Sequence, residues 1–319
     1  MFLSHSIVFL LLLLLALIYY RLAIRFGIVD RPNHRSSHTR VTVRGGGIIF
    51  PFAVILWWMA ADFIHTWMVL GIVWISVISF LDDIYAISRR LRFGIQFLAL
   101  SMAFYDLGVF EQLSLWSLPF LYFFALGILN AVNFMDGING ISGLCGLCFF
   151  GSILAVNRYM PIFDNELIYS LIMAVFVFLI FNFRKNAMMF AGDIGSISLA
   201  YMMIYFLVQW YLASQNWTII LFLVVYGADA FLTLCRRLLK RENVGLPHRT
   251  HLYQILANEL KKDHVLIALA FALIQFAVNF FLFIQPHSMP TQILAAGVIV
   301  AVAGIYLAIK VPLQKKFGI

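Results

Sequence analysis

The chain has 319 residues, of which 63% are hydrophobic and only 11% charged, and its formal net charge is +8. That balance excludes a soluble globular domain and a disordered chain, because apolar runs long enough to cross a bilayer dominate the sequence. In such a chain the basic excess reports orientation in the lipid bilayer, and no nucleic-acid partner is expected.

In chain order, apolar windows of about 17 to 20 residues predict helices at 6–24, 47–64, 66–81, 94–110, 115–130, 141–157, 166–183, 194–212, 217–235, 264–284 and 291–310. The first run has no basic residue before it and no small-residue cleavage pattern after it, so it reads as a retained helix. Cys145 and Cys148 form a C-x-x-C inside an apolar run and read as helix packing. The expected fold is all-α and integral to the membrane: a polytopic helical bundle of about 11 (10–11) transmembrane helices, forming a single domain over 1–319. Its polar loops fall at about 25–46, 82–93, 131–140, 183–193 and 236–263.

Alternation of the loops then places every Lys and Arg except Arg158 on one side, which puts the N-terminus in the periplasm and the C-terminus in the cytoplasm. The outer loops, with Asp62, Asp106, Glu111, Asp164 and Glu166, read as connectors.

Five polar stretches share the cytoplasmic side. In "DRPNHRSSHTRVTVRGGG" (30–47), Arg40, Arg44 and three glycines suit an anionic group, since glycine lets the backbone come close. The plain alternative is a positive-inside loop. In "FLDDIYAISRRLR" (80–92), Asp82 and Asp83 end a helix where the macrodipole disfavours carboxylates by about 0.3 to 1 kcal/mol each. They call for a cation, either a metal ion or Arg89, Arg90 and Arg92.

"NAVNFMDGING" (130–140) spaces Asn130, Asn133, Asp136 and Asn139 by three. If helical, the first three share a broad face, and amides beside a carboxylate suit a sugar or nucleotide edge and a metal. A polar turn is the alternative. Asp193, in "FNFRKNAMMFAGDIGS" (181–196), is either a helix cap or a magnesium ligand beside backbone N–H groups open to phosphate. Asp229 lies inside a membrane helix, where a charge costs about 2.5 to 3.5 kcal/mol, with Arg236 and Arg237 as candidate partners. In "RENVGLPHRTHLYQ" (241–254), His248, Arg249 and His251 form a donor cluster suited to phosphate, with zinc as the alternative for the histidine pair.

Together, the R-S-S-H-T-R and G-G-G run of 35–47, "FLDD", "NAVNFMDGING", "FNF…FAGDIGS", the acid at 229 followed by "RR", and "PHRTH" resemble the polyprenyl-phosphate N-acetylhexosamine-1-phosphate transferase superfamily, the WecA- and MraY-like proteins of glycosyltransferase family 4. Within it the chain is most similar to WecA-like enzymes that start O-antigen synthesis, such as WbpL. The resemblance implies a multi-pass enzyme of the bacterial inner membrane, active at its cytoplasmic face. It would transfer a sugar 1-phosphate from a UDP-N-acetylhexosamine to undecaprenyl phosphate and release UMP.

The resemblance further implies magnesium, with manganese as the alternative ion, and a homodimer as found among relatives. It assigns Asp82, Asp83 and Asp136 to catalysis, with Asp82 toward the lipid phosphate, and Asp193 to the metal. Asn130, Asn133, Asn139, Asn182, Arg40, Arg44, His248, Arg249 and His251 fall to the substrates. Two departures stand out: Asn139 replaces an acid common in relatives, and the loop before Asp193 lacks their prolines. The rival from another class is a transporter or flippase of a lipid-linked or anionic solute, which would carry its ionisable residues near the bilayer midplane.

Overall fold

The computed structural model describes residues 4–32, 40–244, 248–284 and 291–318. In chain order it comprises α1 (His5–Phe26), β1 (Val29–Asp30), β2 (Thr42–Val43), a 3-10 turn (Gly46–Ile48), α2 (Ile49–Ala60), α3 (Thr66–Ile84), α4 (Arg89–Asp106) and the short α5 (Val109–Gln112). There follow α6 (Leu118–Met135), α7 (Ile141–Asn157), α8 (Asn165–Asn182), α9 (Gly192–Ser214), a 3-10 segment (Trp217–Leu223), α10 (Val224–Leu239), α11 (Leu252–Asn258), α12 (His264–Ile284) and α13 (Thr291–Phe317). The protein is thus an all-α polytopic membrane protein, and each expected span contains a helix.

Among the described residues, eight helices are long and apolar enough to cross a membrane, while Gly46–Ala60 and α7 are apolar but shorter. Two boundaries differ from expectation in ways that matter. The fourth helix begins at Arg89 rather than 94, because Ser88 caps it by accepting the Leu91 N–H at 3.3 Å. Arg89, Arg90 and Arg92 therefore sit on a helix, not in a loop. The sixth helix runs on to Met135, so Asn130 and Asn133 are helical while Asp136 already leaves the axis.

α9 is the centre of the bundle, packed by α2, α3, α4, α6 and α7. It is apolar on every side and buried over most of its length, as a helix hydrophobic all round should be. The ninth span begins as a 3-10 segment, which frees backbone groups that lipid cannot satisfy. Buried Gln275 closes that break: it accepts from the Val225 N–H at 2.9 Å and donates to the Leu221 carbonyl at 2.9 Å.

The small antiparallel sheet pairs Val29 with Val43. Val43 then bridges to Met189 in parallel, and the Gly46 and Gly47 N–H groups donate to the carbonyls of Phe190 and Ala191 at 2.8 and 3.0 Å. The arginine loop is thereby fastened to the chain entering α9. A Cβ on Gly47 would lie 2.1 Å from the Gly195 Cα, so this seat exists only with two bare backbones.

At the opposite end of the bundle the outer loops are not mere connectors. Asp106 accepts from Tyr205 Oη at 2.9 Å and faces His65 Nδ1 at 2.6 Å. The Trp57 ring stacks beside His65, and its Nε1 donates to Asp164 at 3.2 Å, which in turn caps α8.

Candidate active site

The ends of α3 and α6, the starts of α4, α9 and α11, Val244 and the histidine loop line one cavity of 520 Å³, within the size range of small-molecule sites. Its polar lining is Ser79, Asp82, Arg89, Arg92, Gln96, Asn130, Asn133, Asp193, His248, His251 and Gln254. Ile78, Phe93, Phe134, Ile197 and Val244 supply the apolar wall.

Three carboxylates and two guanidinium groups meet beside it, of which Asp82, Asp193 and Arg92 line the cavity and Asp83 and Arg44 do not. Arg92 Nη1 lies 2.5 Å from Asp82 Oδ2 and 3.9 Å from Asp193 Oδ2. Arg44 Nε lies 2.7 Å from Asp83 Oδ1, and its Nη2 lies 3.7 Å from Asp193 Oδ1. Burial opposes the charge on Arg44, but Asp83, Asp193 and Asp30 outweigh it and push the guanidinium pKa up. Asn133 Nδ2 adds hydrogen bonds to Asp193 Oδ1 at 3.2 Å and to Ser196 Oγ at 3.0 Å.

The adjacent acids have separate tasks. The Asp83 side chain is fully buried and accepts the N–H groups of Asp193 and Ile194 at 2.9 and 3.2 Å. It caps α9 from another helix, so the sequence expectations that Asp193 caps its own helix and that free N–H groups there await phosphate are both corrected: Asp83 has taken them. Gly192 must be bare for this, with φ at 72° and Asp83 Oδ2 only 2.5 Å from where a Cβ would stand. Asp82 and Asp193 line the cavity, with side chains 11% and 27% exposed, so Asp193 is the acid most open to a ligand.

Other expected site residues divide likewise. Asn130 and Asn133 line the cavity, but Asp136 turns away, accepts from Ser142 Oγ at 2.7 Å, and does not share their face. Its half-buried carboxyl is pushed up to about 6 by desolvation, against the Ser142 hydrogen bond, with Asp193 adding to the rise. Asn182 and Asn139 lie buried behind the cavity as loop ties. Asn182 accepts the Gly140 N–H at 2.6 Å and donates to the Met189 carbonyl at 2.8 Å, while Asn139 donates to the carbonyls of Arg184 and Lys185. Arg40 is exposed and outside the cavity lining, as is the half-buried Arg249. Residues 35–39 of the R-S-S-H-T-R run and Pro247 lie outside the described residues.

His248 and His251 are brought together, ring centroids 4.9 Å apart, but not as a pair of cations. Desolvation, then His251, Arg237 and Lys310, push the His248 pKa down to about 4. Its Nδ1 lies 3.0 Å from Thr250 Oγ1 and accepts the Thr250 N–H at 3.4 Å, which assigns the proton to Nε2 and leaves a neutral N–H donor. Among the described residues no three His, Cys, Asp or Glu side chains converge as a metal cage, which disfavours zinc at the histidines. Asp229 is buried and meets Tyr306, Lys310 and the start of α11, whereas Arg237 turns to Glu242 at 3.0 Å.

Sequence reasoning named Arg89 and Arg92 only as compensating cations and missed Ser79, Gln96 and Gln254. A serine followed by a charged helical turn was the available signal, since Ser88 reads as an N-cap.

A family model described as "Glycosyl transferase family 4" matches residues 65–211, which carry Asp82, Asp83, Asn133, Asp136 and Asp193. That match and the relative named next support the resemblance to the WecA- and MraY-like superfamily. It is 29% identical over 269 residues, covering 76% of this chain and 73% of the relative, to a "Probable undecaprenyl-phosphate N-acetylglucosaminyl 1-phosphate transferase" of Bacillus subtilis (strain 168).

Proposed function

We propose that this single-domain protein transfers an N-acetylhexosamine 1-phosphate from a UDP-sugar to undecaprenyl phosphate and releases UMP. The observation that carries this reading is one cavity in which Asp82 and Asp193 stand beside Arg89 and Arg92, with an apolar wall of Phe93, Phe134 and Ile197. Carboxylates with nearby cations suit phosphate and metal, and the apolar wall suits the lipid end of the acceptor.

The residues fit magnesium, which takes one or two carboxylates and completes its shell with phosphate oxygens and water. Arg44 and Arg92, within 4 Å of Asp193, already mark it as a point that attracts cations. Asp193, with Asp82, would hold magnesium or manganese, and the ion supplies charge neutralisation at the pyrophosphate.

The chain's own residues do the rest. Asp83 and Arg44 lock the start of α9, so Asp193 cannot swing away. Arg89 and Arg92 receive phosphate oxygens, Asn130 and Asn133 offer amide contacts, and His248 donates a neutral N–H. An acceptor phosphate oxygen bonds to the β-phosphorus of the UDP-sugar as the bond to UMP breaks. A phosphate monoester has its second pKa near about 6 and is largely dianionic at neutral pH, so no strong general base is required.

The basic residues gather at the cavity end, which supports a cytoplasmic active site at the inner membrane and a role in the first membrane step of O-antigen or another envelope polysaccharide. The test is UMP release by purified protein given magnesium, undecaprenyl phosphate and UDP-N-acetylhexosamines, the GlcNAc, GalNAc, FucNAc and QuiNAc forms in turn. Release that needs lipid, metal and one sugar is expected. Silence from folded protein across the panel overturns the reading.

A further inference from the structure

α13 lies outside the residues matched by the family model and faces lipid along most of its length, yet it buries a lysine. Lys310 is 2% exposed, and its Nζ stands 3.7 Å from Asp229 Oδ1 while donating to Thr233 Oγ1 and Tyr306 Oη. Burying an ammonium group carries a desolvation cost, and a methionine would fill the same space without that cost. The packing of α13 on α10 therefore does not explain why the residue is charged.

The other side of Asp229 gives the explanation. Its Oδ1 accepts the Leu252 N–H at 2.9 Å and its Oδ2 the Tyr253 N–H at 3.3 Å, so this carboxylate caps α11 from a different helix. Tyr306 donates to the same Oδ1 at 2.7 Å. His251, immediately before α11, has its Nδ1 3.4 Å from Asp229 and lines the cavity together with His248. Tyr253 then fixes α11 to the end of α6 by donating to the Phe134 carbonyl at 2.8 Å.

The geometry points to Lys310 as a positioning residue: by holding the Asp229 carboxylate from α13, it fixes the start of α11 and so sets His251 and His248 at the cavity. Without the lysine the buried carboxylate keeps only its hydrogen bonds and the His251 ring 3.4 Å away, and it relaxes away from the α11 N–H groups. The C-terminal helix is then part of the histidine loop's mounting. The consequence for turnover rests on the transferase reading above; the consequence for α11 does not.

The test uses full-length protein in detergent with Lys310→Met and two readouts: backbone hydrogen exchange of the 251–258 segment, and the kinetics of UMP release. We expect exchange at Leu252 and Tyr253 to quicken by about tenfold with α3 and α9 unchanged, and kcat to fall by about tenfold with KM changed less than about threefold. Wild-type exchange at 251–258 overturns the proposal. So does faster exchange spread through α3 and α9, which is what a merely structural ion pair would give. Should Lys310→Met fail to fold, Tyr306→Phe decides: faster exchange confined to α11 supports the proposal, and unchanged exchange overturns it. A wild-type protein that releases no UMP overturns the transferase reading while leaving the exchange result to judge Lys310.

Discussion

At the cavity end, the carboxylates of Asp82, Asp83 and Asp193 share Arg44 and Arg92, and two of the three still open into a cavity. At the opposite end, Asp106 is closed between His65 and Tyr205, and Asp164 is spent on Trp57 and the start of α8. Both ends combine acids with basic or hydroxyl donors in an apolar bundle. They differ in whether the partners exhaust the acid. Asp106 has a 6% exposed side chain and does not line the cavity, whereas Asp193 retains exposed oxygen aimed at a space large enough for a substrate.

The hardest way to break this comparison is Asp193→Asn. Transfer should fall by about 10²- to 10³-fold, the scale of losing one preorganised electrostatic contact, while size-exclusion and thermal unfolding stay near wild type. Normal UMP release from that variant would mean the open acid is not the working one.

Asp136→Asn sharpens the comparison by probing a half-buried acid at the cavity end that does not face the cavity. A carboxyl raised from 3.8 to about 6 is destabilised in its charged form. The wild-type fold should lose stability as pH rises through that window, and the amide should remove the loss. The gain at neutral pH is about 1 to 3 kcal/mol, two pKa units at 1.36 kcal/mol each being the upper bound. Chemical unfolding of the two proteins at pH 4 and pH 7.5 measures it, and equal stability at both would contradict the burial argument.

The smallest effect belongs to the closed end. Hydrogen bonding to Asp106 raises the His65 pKa above 6.5 despite partial burial. That contribution is fully present below the unfolded value and fades as pH rises through the folded one. Asp106→Asn should lower the unfolding temperature by about 2 to 4 °C at pH 6, by less at pH 9, and leave UMP release within twofold of wild type. A large loss of activity would show that the two ends are coupled.

The bundle was legible in the sequence because bilayer thickness fixes helix length, and apolar runs of that length are hard to mistake. Asp82, Asp83 and Asp193 were legible because carboxylates are costly in such a chain. Which of them faces the cavity was not, since adjacent residues on a helix diverge in direction and only the partner element decides. Asp83 became a cap because α9 begins beside it. Lys310 was illegible for a related reason: it meets Thr233 77 positions away, and Asp229 one helical turn before that, across a contact no local pattern announces. The outer acids failed in the opposite direction, as short polar loops whose side chains reach one another only after folding.

The bare-backbone contact between Gly47 and Gly195 has a consequence for how this protein tolerates variation. In a saturation library selected for function, both positions should admit glycine alone, although neither carries a side chain that touches a substrate. Their invariance would record a distance, not a chemistry, and an unrelated chain keeping both glycines would be expected to keep the same seat for its arginine.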